Sequence, residues 1–281
     1  MRLIRARHDG RVVLARVEGG DAVVLARESG HPAADVVREA IAAGVELTGD
    51  GLRLPVAELQ VLAPLANPSK ILAAGLNYAD HARESGTPPP AVPMLFSKTT
   101  NTLIGPGEPI VFRTADSMQV DYEAELAVVI SRRARDVAEA DALDYVLGYT
   151  AANDISARDA QFADGQWLRG KSFDTFGPIG PAIVTPDQLG DAQSVRVLCR
   201  VNGETLQDGT TKDMIFGVAE LISYTSRFWT LEPGDLILTG TPHGVGFART
   251  PPIYLRDADV VEVEVDRVGM LANPVRALES Y

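Results

Sequence analysis

The stretch that most constrains the fold is Val120-Asp121-Tyr122-Glu123-Ala124-Glu125-Leu126, together with the apolar run Ala127-Val128-Val129-Ile130 that follows it. A strand sets alternate residues on one face, so Asp121, Glu123 and Glu125 are expected to point the same way. The run after them reads as buried on both faces, the pattern of an interior strand. Three anions leading into a core repel one another unless a cation lies nearby. Clustered carboxylate oxygens suit hard ions such as Mg²⁺, Mn²⁺ or Ca²⁺. A strand with one wet face gives the same alternation, and Val260-Val261-Glu262-Val263-Glu264-Val265-Asp266 shows it elsewhere in the chain. Spacing alone therefore leaves Glu123 and Glu125 between a solvated face and a metal site.

The chain has 281 residues, enough for one large domain or a catalytic domain with a small attachment. Its formal net charge of −12 argues against nucleic acid as the main partner. The one cysteine, Cys199, lies in the strand-like Val195–Cys199 and reads as a buried small hydrophobe, so no disulfide framework is expected. No apolar stretch reaches the length of a bilayer span, so no membrane association is expected. Met1-Arg2-Leu3-Ile4-Arg5 lacks a secretory apolar region, which leaves a cytoplasmic protein as the default.

Along the chain, residues 1–27 read as a small antiparallel sheet with a turn at Gly19-Gly20-Asp21. His31 to Ala43 reads as a helix stopped by Gly44. Asn67-Pro68-Ser69 is a turn, and the boundary between a small N-terminal α+β domain (1–68) and a larger domain (69–281) is placed there. Lys70 to Gly75 reads as a strand, Asn77 to Glu84 as a short helical segment and Met94 to Phe96 as a strand. Asp136 to Tyr145 reads as a helix, and Val146 to Ala152 as a strand delivering Asn153-Asp154. Gln161 to Gly170 is expected to be loop, and Gly177-Pro178-Ile179-Gly180-Pro181 a rigid turn. Asn202-Gly203 marks a hairpin. A helix is expected from a cap at Asp213 to about Trp229, with Val218, Leu221, Ile222, Thr225, Phe228 and Trp229 as its core stripe. Asp235–Thr239 and Asp259–Asp266 are strands. The fold class is mixed α/β but mainly β, with too few helices for a regular βαβ series.

Four features carry chemistry. Asp154 ends a buried-looking strand, where a carboxylate either caps the next helix or sits at a site mouth. With Glu123 and Glu125 it would form a three-carboxylate set that leaves room on an ion for water and substrate. His81 and Glu84 are three apart and share a face if helical. Such a pair is either a surface ion pair or an imidazole oriented by a carboxylate to activate water. Lys171, in Arg169-Gly170-Lys171-Ser172-Phe173-Asp174, is placed to bind a carboxylate or stabilise an enolate. Gly240-Thr241-Pro242-His243-Gly244-Val245-Gly246 is neither a P-loop nor a dinucleotide fingerprint. It reads as backbone close to a ligand or as a tight β corner.

These segments together resemble the fumarylacetoacetate hydrolase family, in its bacterial branch of fumarylpyruvate and acylpyruvate hydrolases, hydroxymuconate-type isomerases and keto-acid decarboxylases. The resemblance runs from about residue 69 to 270, through Gly75-Leu76-Asn77-Tyr78 to His81, Asp121–Leu126, Asn153-Asp154 to Arg158-Asp159, Gly170–Asp174 and Gly240–Gly246. It implies a mainly β roll or sandwich, a homodimer, and Mg²⁺ or Mn²⁺ (with Ca²⁺ as a substitute) held by Glu123, Glu125 and Asp154. It also implies His81 and Glu84 as the water-activating pair on a segment closing over substrate. Lys171, Gln161 and Thr241 would contact the oxygens of a small 2-keto or diketo acid. Thr99 stands where the family commonly has Pro or Ala after the lysine, so Lys98 receives no role, and His243 is unassigned. Hydrolysis of a carbon–carbon bond in an acylpyruvate-like diketo acid is the first expectation. Decarboxylation of an oxaloacetate-type acid or isomerisation on the same site is the alternative, and a non-catalytic metal- or carboxylate-binding protein is the remote one.

Overall fold

The strand Ala124–Ile130 is buried at every position. Its even-numbered side chains, Leu126, Val128 and Ile130, enter one apolar cluster, and its odd-numbered Ala127 and Val129 enter another. It pairs on one side with Val146–Asn153 and on the other with Leu236–Leu238. The expectation of an interior strand is therefore met by the period-two pattern itself.

In this computed structural model, residues 1–31, 34–48 and 51–279 are described. A long sheet runs through Arg53–Pro55, Asp21–Arg27, Arg11–Glu18, Arg2–His8, Gly177–Val184, Val146–Asn153, Ala124–Ile130, Leu236–Leu238, Ile71–Gly75 and Met94–Lys98. A second sheet runs through Glu204–Thr210, Arg196–Val201, Val260–Val265, Gly269–Leu278 and Ile110–Arg113. The main core lies between them, where Val128, Ile130 and Ile237 meet Val197, Cys199, Val263 and Leu271. The first strands continue the long sheet, since Leu3 pairs with Ile183. On its other face Leu3, Leu14, Val36 and Val37 cluster with Ile71 and Val129. The architecture is mixed α/β and mainly β, as read from the sequence. Among the described residues no helix is long and apolar enough to cross a membrane.

Several local expectations are corrected. The first helix is Val36–Ala42, not His31–Ala43, because Asp35 caps it by accepting from Val37 N (3.0 Å) and Arg38 N (3.3 Å). Pro32 and Ala33, inside the expected helix, lie outside the described residues. Residues 139–145 form 3₁₀ turns rather than an α-helix. The expected loop at 161–170 contains the end of the helix Arg158–Ala163 and most of Leu168–Lys171. Gly177–Pro181 is no turn but the start of the strand Gly177–Val184. A register shift between Tyr149 and Ala151 in the partner strand falls opposite Pro181. The helix expected from Asp213 to Trp229 is Val218–Ser226 with Gly217 at its N-cap. Its stripe ends at Thr225, and Phe228 and Trp229 are exposed.

The wet-face comparison strand behaves as expected. Val261, Val263 and Val265 are buried, while Glu262 and Glu264 are only half-buried. Cys199 is fully buried, and burial pushes its thiol well up from the ordinary range.

Candidate active site

The long sheet delivers its carboxylates to one end. Pairing Ala124 with Asn153 brings Glu123 and Glu125 beside Asp154, which follows Asn153. Asn153 accepts from Glu123 N (3.0 Å), and Asp154 N donates to Glu123 O (2.9 Å), locking the two chain ends together. One oxygen from each of Glu123, Glu125 and Asp154 lies within 4.8 Å of the others, and all three residues are buried. The helix-cap alternative for Asp154 fails: the next helix, Arg158–Ala163, has no side-chain cap. Asp154 instead accepts from Lys98 Nζ (2.6 Å) and Lys171 Nζ (2.8 Å).

Asp121 does not join that set. It faces Arg158, whose Nε donates to Oδ2 at 2.9 Å, and it accepts from Gly246 N (2.8 Å) and Phe247 N (3.1 Å). Arg158 Nη2 lies 2.8 Å from Asp121 and 2.6 Å from Glu123, at angles that make these ion contacts rather than aligned hydrogen bonds. Four carboxylates (Asp121, Glu123, Glu125, Asp154) thus meet three cationic side chains (Lys98, Arg158, Lys171).

The charge balance is uneven. Burial would raise the Glu123 carboxyl, but Lys171 and Arg158 outweigh it and hold it well below the usual range. Burial also works against the Lys171 ammonium, yet Asp154 and Glu123 keep its pKa above the ordinary lysine value. Burial dominates at Lys98 and lowers it. Glu125 is the carboxylate left over. It accepts from Gly240 N (2.6 Å), and no ion pair closes on it among the described residues. Burial, then Asp154 and Glu123, push it well above the usual carboxylate range. Three hard oxygen donors with one uncompensated charge fit a divalent ion of the Mg²⁺, Mn²⁺ or Ca²⁺ type.

His81 lies on the short helix Ala79–Glu84 and is 6% exposed, so it is no surface ion-pair member. Its Nδ1 is 2.8 Å from Glu84 Oε1, and Glu84 Oε2 accepts from Gly244 N at 2.8 Å. The loop 240–246 therefore grips the acids through its backbone: Gly240 holds Glu125, Gly244 holds Glu84 and Gly246 holds Asp121. A methyl at 246 would overlap Ile253 O and lie 2.5 Å from Asp121 Oδ1. Thr241 is fixed by donating to Ala124 O and accepting from Gln207 Nε2. Gln161 Oε1 accepts from Arg158 Nη1 at 3.0 Å. His243 is exposed.

A cavity of about 170 Å³ opens over these groups, against the ~10–15 Å³ that one water needs. His81, Glu123, Glu125, Gln161, Lys171 and Thr241 line it, as the sequence reading grouped them. Glu84 and Asp154 stand behind them, bonded to His81 and Lys171. The sequence reading missed Arg158 as the cation of the Asp121–Glu123 face, and it gave Lys98 no role. Lys98 is 3% exposed and ties Asp154 to the backbone oxygens of Ile155 and Lys171. The signal for Arg158 was present: two carboxylates, two residues apart before a buried run, require a cation, and Arg158 follows the Asp154 motif.

A buried acidic trio, flanked by lysines and facing an imidazole–carboxylate pair across a small cavity, defines an enzyme site. Residues 70–276 match the model of the fumarylacetoacetate (FAA) hydrolase C-terminal family, and the chain belongs to that family. It is 47% identical over 219 residues to the mitochondrial oxaloacetate tautomerase fahd2 of Xenopus laevis, covering 77% of this chain and 68% of that one. It is 43% identical over 242 residues to the human oxaloacetate tautomerase FAHD2A, covering 85% and 75%. Among solved structures, the fumarylacetoacetate hydrolase of Exiguobacterium antarcticum is similar with TM-score 0.87 and 39% identity, covering 99% of this chain and all (100%) of that one. The 2-hydroxyhepta-2,4-diene-1,7-dioate isomerase of Mycobacterium marinum matches with TM-score 0.80 and 38% identity, covering 99% and 98%. The names of the tautomerases place those proteins in mitochondria, which gives the cytoplasmic default no support.

Proposed function

We propose that this enzyme interconverts the enol and keto forms of a small 2-oxo diacid of the oxaloacetate type, with Mg²⁺ or Mn²⁺ held by Glu123, Glu125 and Asp154. The observation that carries the reading is His81. Its Nδ1 is engaged by Glu84 at 2.8 Å and its side chain lines the cavity, leaving Nε2 for the substrate. The identity to oxaloacetate tautomerases and the likeness to a dienedioate isomerase support it. Both reactions named there move a proton at carbon without breaking a carbon–carbon bond.

When bound, the ion supplies Lewis-acid polarisation of the carboxylate and keto oxygens of the substrate. His81 Nε2 takes the proton from the carbon beside the keto group. The C–H electron pair becomes the new carbon–carbon double bond, the carbonyl π pair moves onto the keto oxygen, and that enolate oxygen takes up the proton that His81 Nε2 carries, which returns the imidazole to its neutral form. Glu84 orients the ring and stabilises its charged form. The Lys171 ammonium stabilises the developing enolate charge. Gln161 and Thr241 position the substrate's remaining oxygens.

Hydrolysis of an acylpyruvate is the second reading, favoured by the likeness to the Exiguobacterium antarcticum hydrolase. There the same His81–Glu84 pair would activate water. Enol-absorbance decay on oxaloacetate, with products read by mass, decides between them. Accelerated decay with unchanged mass supports the tautomerase, two fragments from an acylpyruvate support the hydrolase, and carbon dioxide release supports an oxaloacetate-type decarboxylase. No acceleration over buffer with either ion overturns the proposal.

A further inference from the structure

The cavity over the acidic trio is lined by both charged and aromatic side chains. Glu123, Glu125 and Lys171 line it together with the side chains of Phe96 and Trp167. A second hollow of about 430 Å³ adjoins it, bounded by Met94, Leu95, Gly165, Gln166 and Leu168. Phe96 and Trp167 line both spaces, so these two rings are the partition between them.

The partition is built rather than incidental. The rings meet edge to face, with centroids 5.3 Å apart and planes at 67°. The indole rests where Gly75 has no side chain. A Cβ there would stand 2.5 Å from Trp167 Cζ3 and 2.7 Å from Met94 Cε. Gly75 has no positive φ, so the close approach of the indole is what its missing side chain permits. Trp167 is also tied to the chemistry: its carbonyl accepts from Lys171 N at 3.0 Å, and Lys171 Nζ lies 5.2 Å from the Phe96 ring centre.

Resting on the reading of the site as one for 2-oxo acids, we infer that Trp167 is the residue that limits the length of the substrate's distal group. With the indole in place, the end of the acid opposite the trio meets an aromatic edge after a short chain. Without it, the cavity joins the neighbouring hollow, whose Met94, Leu95 and Leu168 suit an apolar chain. A single methylene in an apolar pocket is worth about 10-fold or more in discrimination, so a shift of several carbons is readily measured.

The test is a series of straight-chain 2-oxo acids from four to eight carbons, run on wild type, Trp167→Ala and Trp167→Phe with Mg²⁺ present. Turnover is read as kcat/KM and binding by calorimetry. In Trp167→Ala the eight-carbon to four-carbon ratio is expected to rise at least ~10-fold, with Trp167→Phe between the two. A ratio within about 2-fold of wild type by both readouts, well below that per-methylene figure, overturns the inference. If wild type converts none of the acids, the functional proposal has failed and the calorimetric length profile alone decides the role of Trp167. If Trp167→Ala does not fold, Trp167→Phe carries the decision, because it keeps an aromatic ring against Phe96 but shortens the wall.

Discussion

Replacing Arg158 by Met tests the electrostatic frame of the site. Arg158 is 2% exposed and is shared by Asp121 and Glu123. Methionine keeps an apolar stem against Phe247, whose ring centre lies 4.5 Å from the guanidinium carbon, but it supplies no charge. Asp121 retains the amides of Gly246 and Phe247, and Glu123 retains Lys171. Removing one partner of a buried ion pair costs about 3–5 kcal/mol. Unfolding entropy is about 2.1 cal/mol/K per residue, or roughly 0.6 kcal/mol/K for the 281 residues. The thermal midpoint is therefore expected to fall by about 5–8 °C. Calorimetry at neutral pH measures it. The deficit should shrink toward acid pH, where the stranded carboxylates take up protons. Asp121→Asn added to Arg158→Met should recover part of it by removing one unpaired charge. A midpoint within about 1 °C of wild type, far short of that cost, would refute the reasoning, as would a double variant no more stable than Arg158→Met.

Other expectations follow from the same geometry. His81→Ala should lower the tautomerisation rate by about 10²–10⁴-fold while circular dichroism stays native; a rate within about 3-fold, below the range for a general base, would remove His81 from the chemistry. Gly246→Ala forces a methyl against Ile253 O and Asp121 and should cost about 1–3 kcal/mol; an unchanged denaturant midpoint would show that the loop relaxes freely. Glu125 has its folded pKa raised, so its contribution favours the fold below its unfolded pKa and is lost as pH rises through the folded value. Metal-free protein should thus lose stability over that window. Glu125→Gln should flatten the decline, and an identical pH profile in the two proteins would contradict the assignment.

The interior strand was legible because its signal is local, and the acidic trio was legible as a candidate set whose metal role rested on the family resemblance. Period-two burial fixes Ala124–Ile130, and Glu123, Glu125 and Asp154 each stand at the margin of an apolar run. The pairing of His81 with Glu84 was legible from three-residue spacing. The need for a cation beside Asp121 and Glu123 was legible too, but not that Arg158 or Lys98 is buried there, because a cation's burial depends on which distant carboxylates it meets: Asp121 is 37 positions from Arg158, and Asp154 is 56 from Lys98. Pro178 and Pro181 read as turn punctuation, yet a strand carries both, with the irregular pairing to Val146–Asn153 falling opposite Pro181. The glycines of 240–246 left a ligand contact and a tight corner open. The tertiary fold shows a third use, in which their amides hold the carboxylates of the site.

The central claim is that Glu123, Glu125 and Asp154 share one divalent ion. Titration of chelator-stripped protein with Mn²⁺, followed by the loss of the free-ion paramagnetic resonance signal, tests it most directly. The account predicts one ion per chain in wild type, and an affinity loss of ~100-fold or more in Glu125→Gln and Asp154→Asn, beyond the 10–100-fold typical of outer-shell changes. Binding of equal strength in both variants, or no binding in wild type, would contradict it.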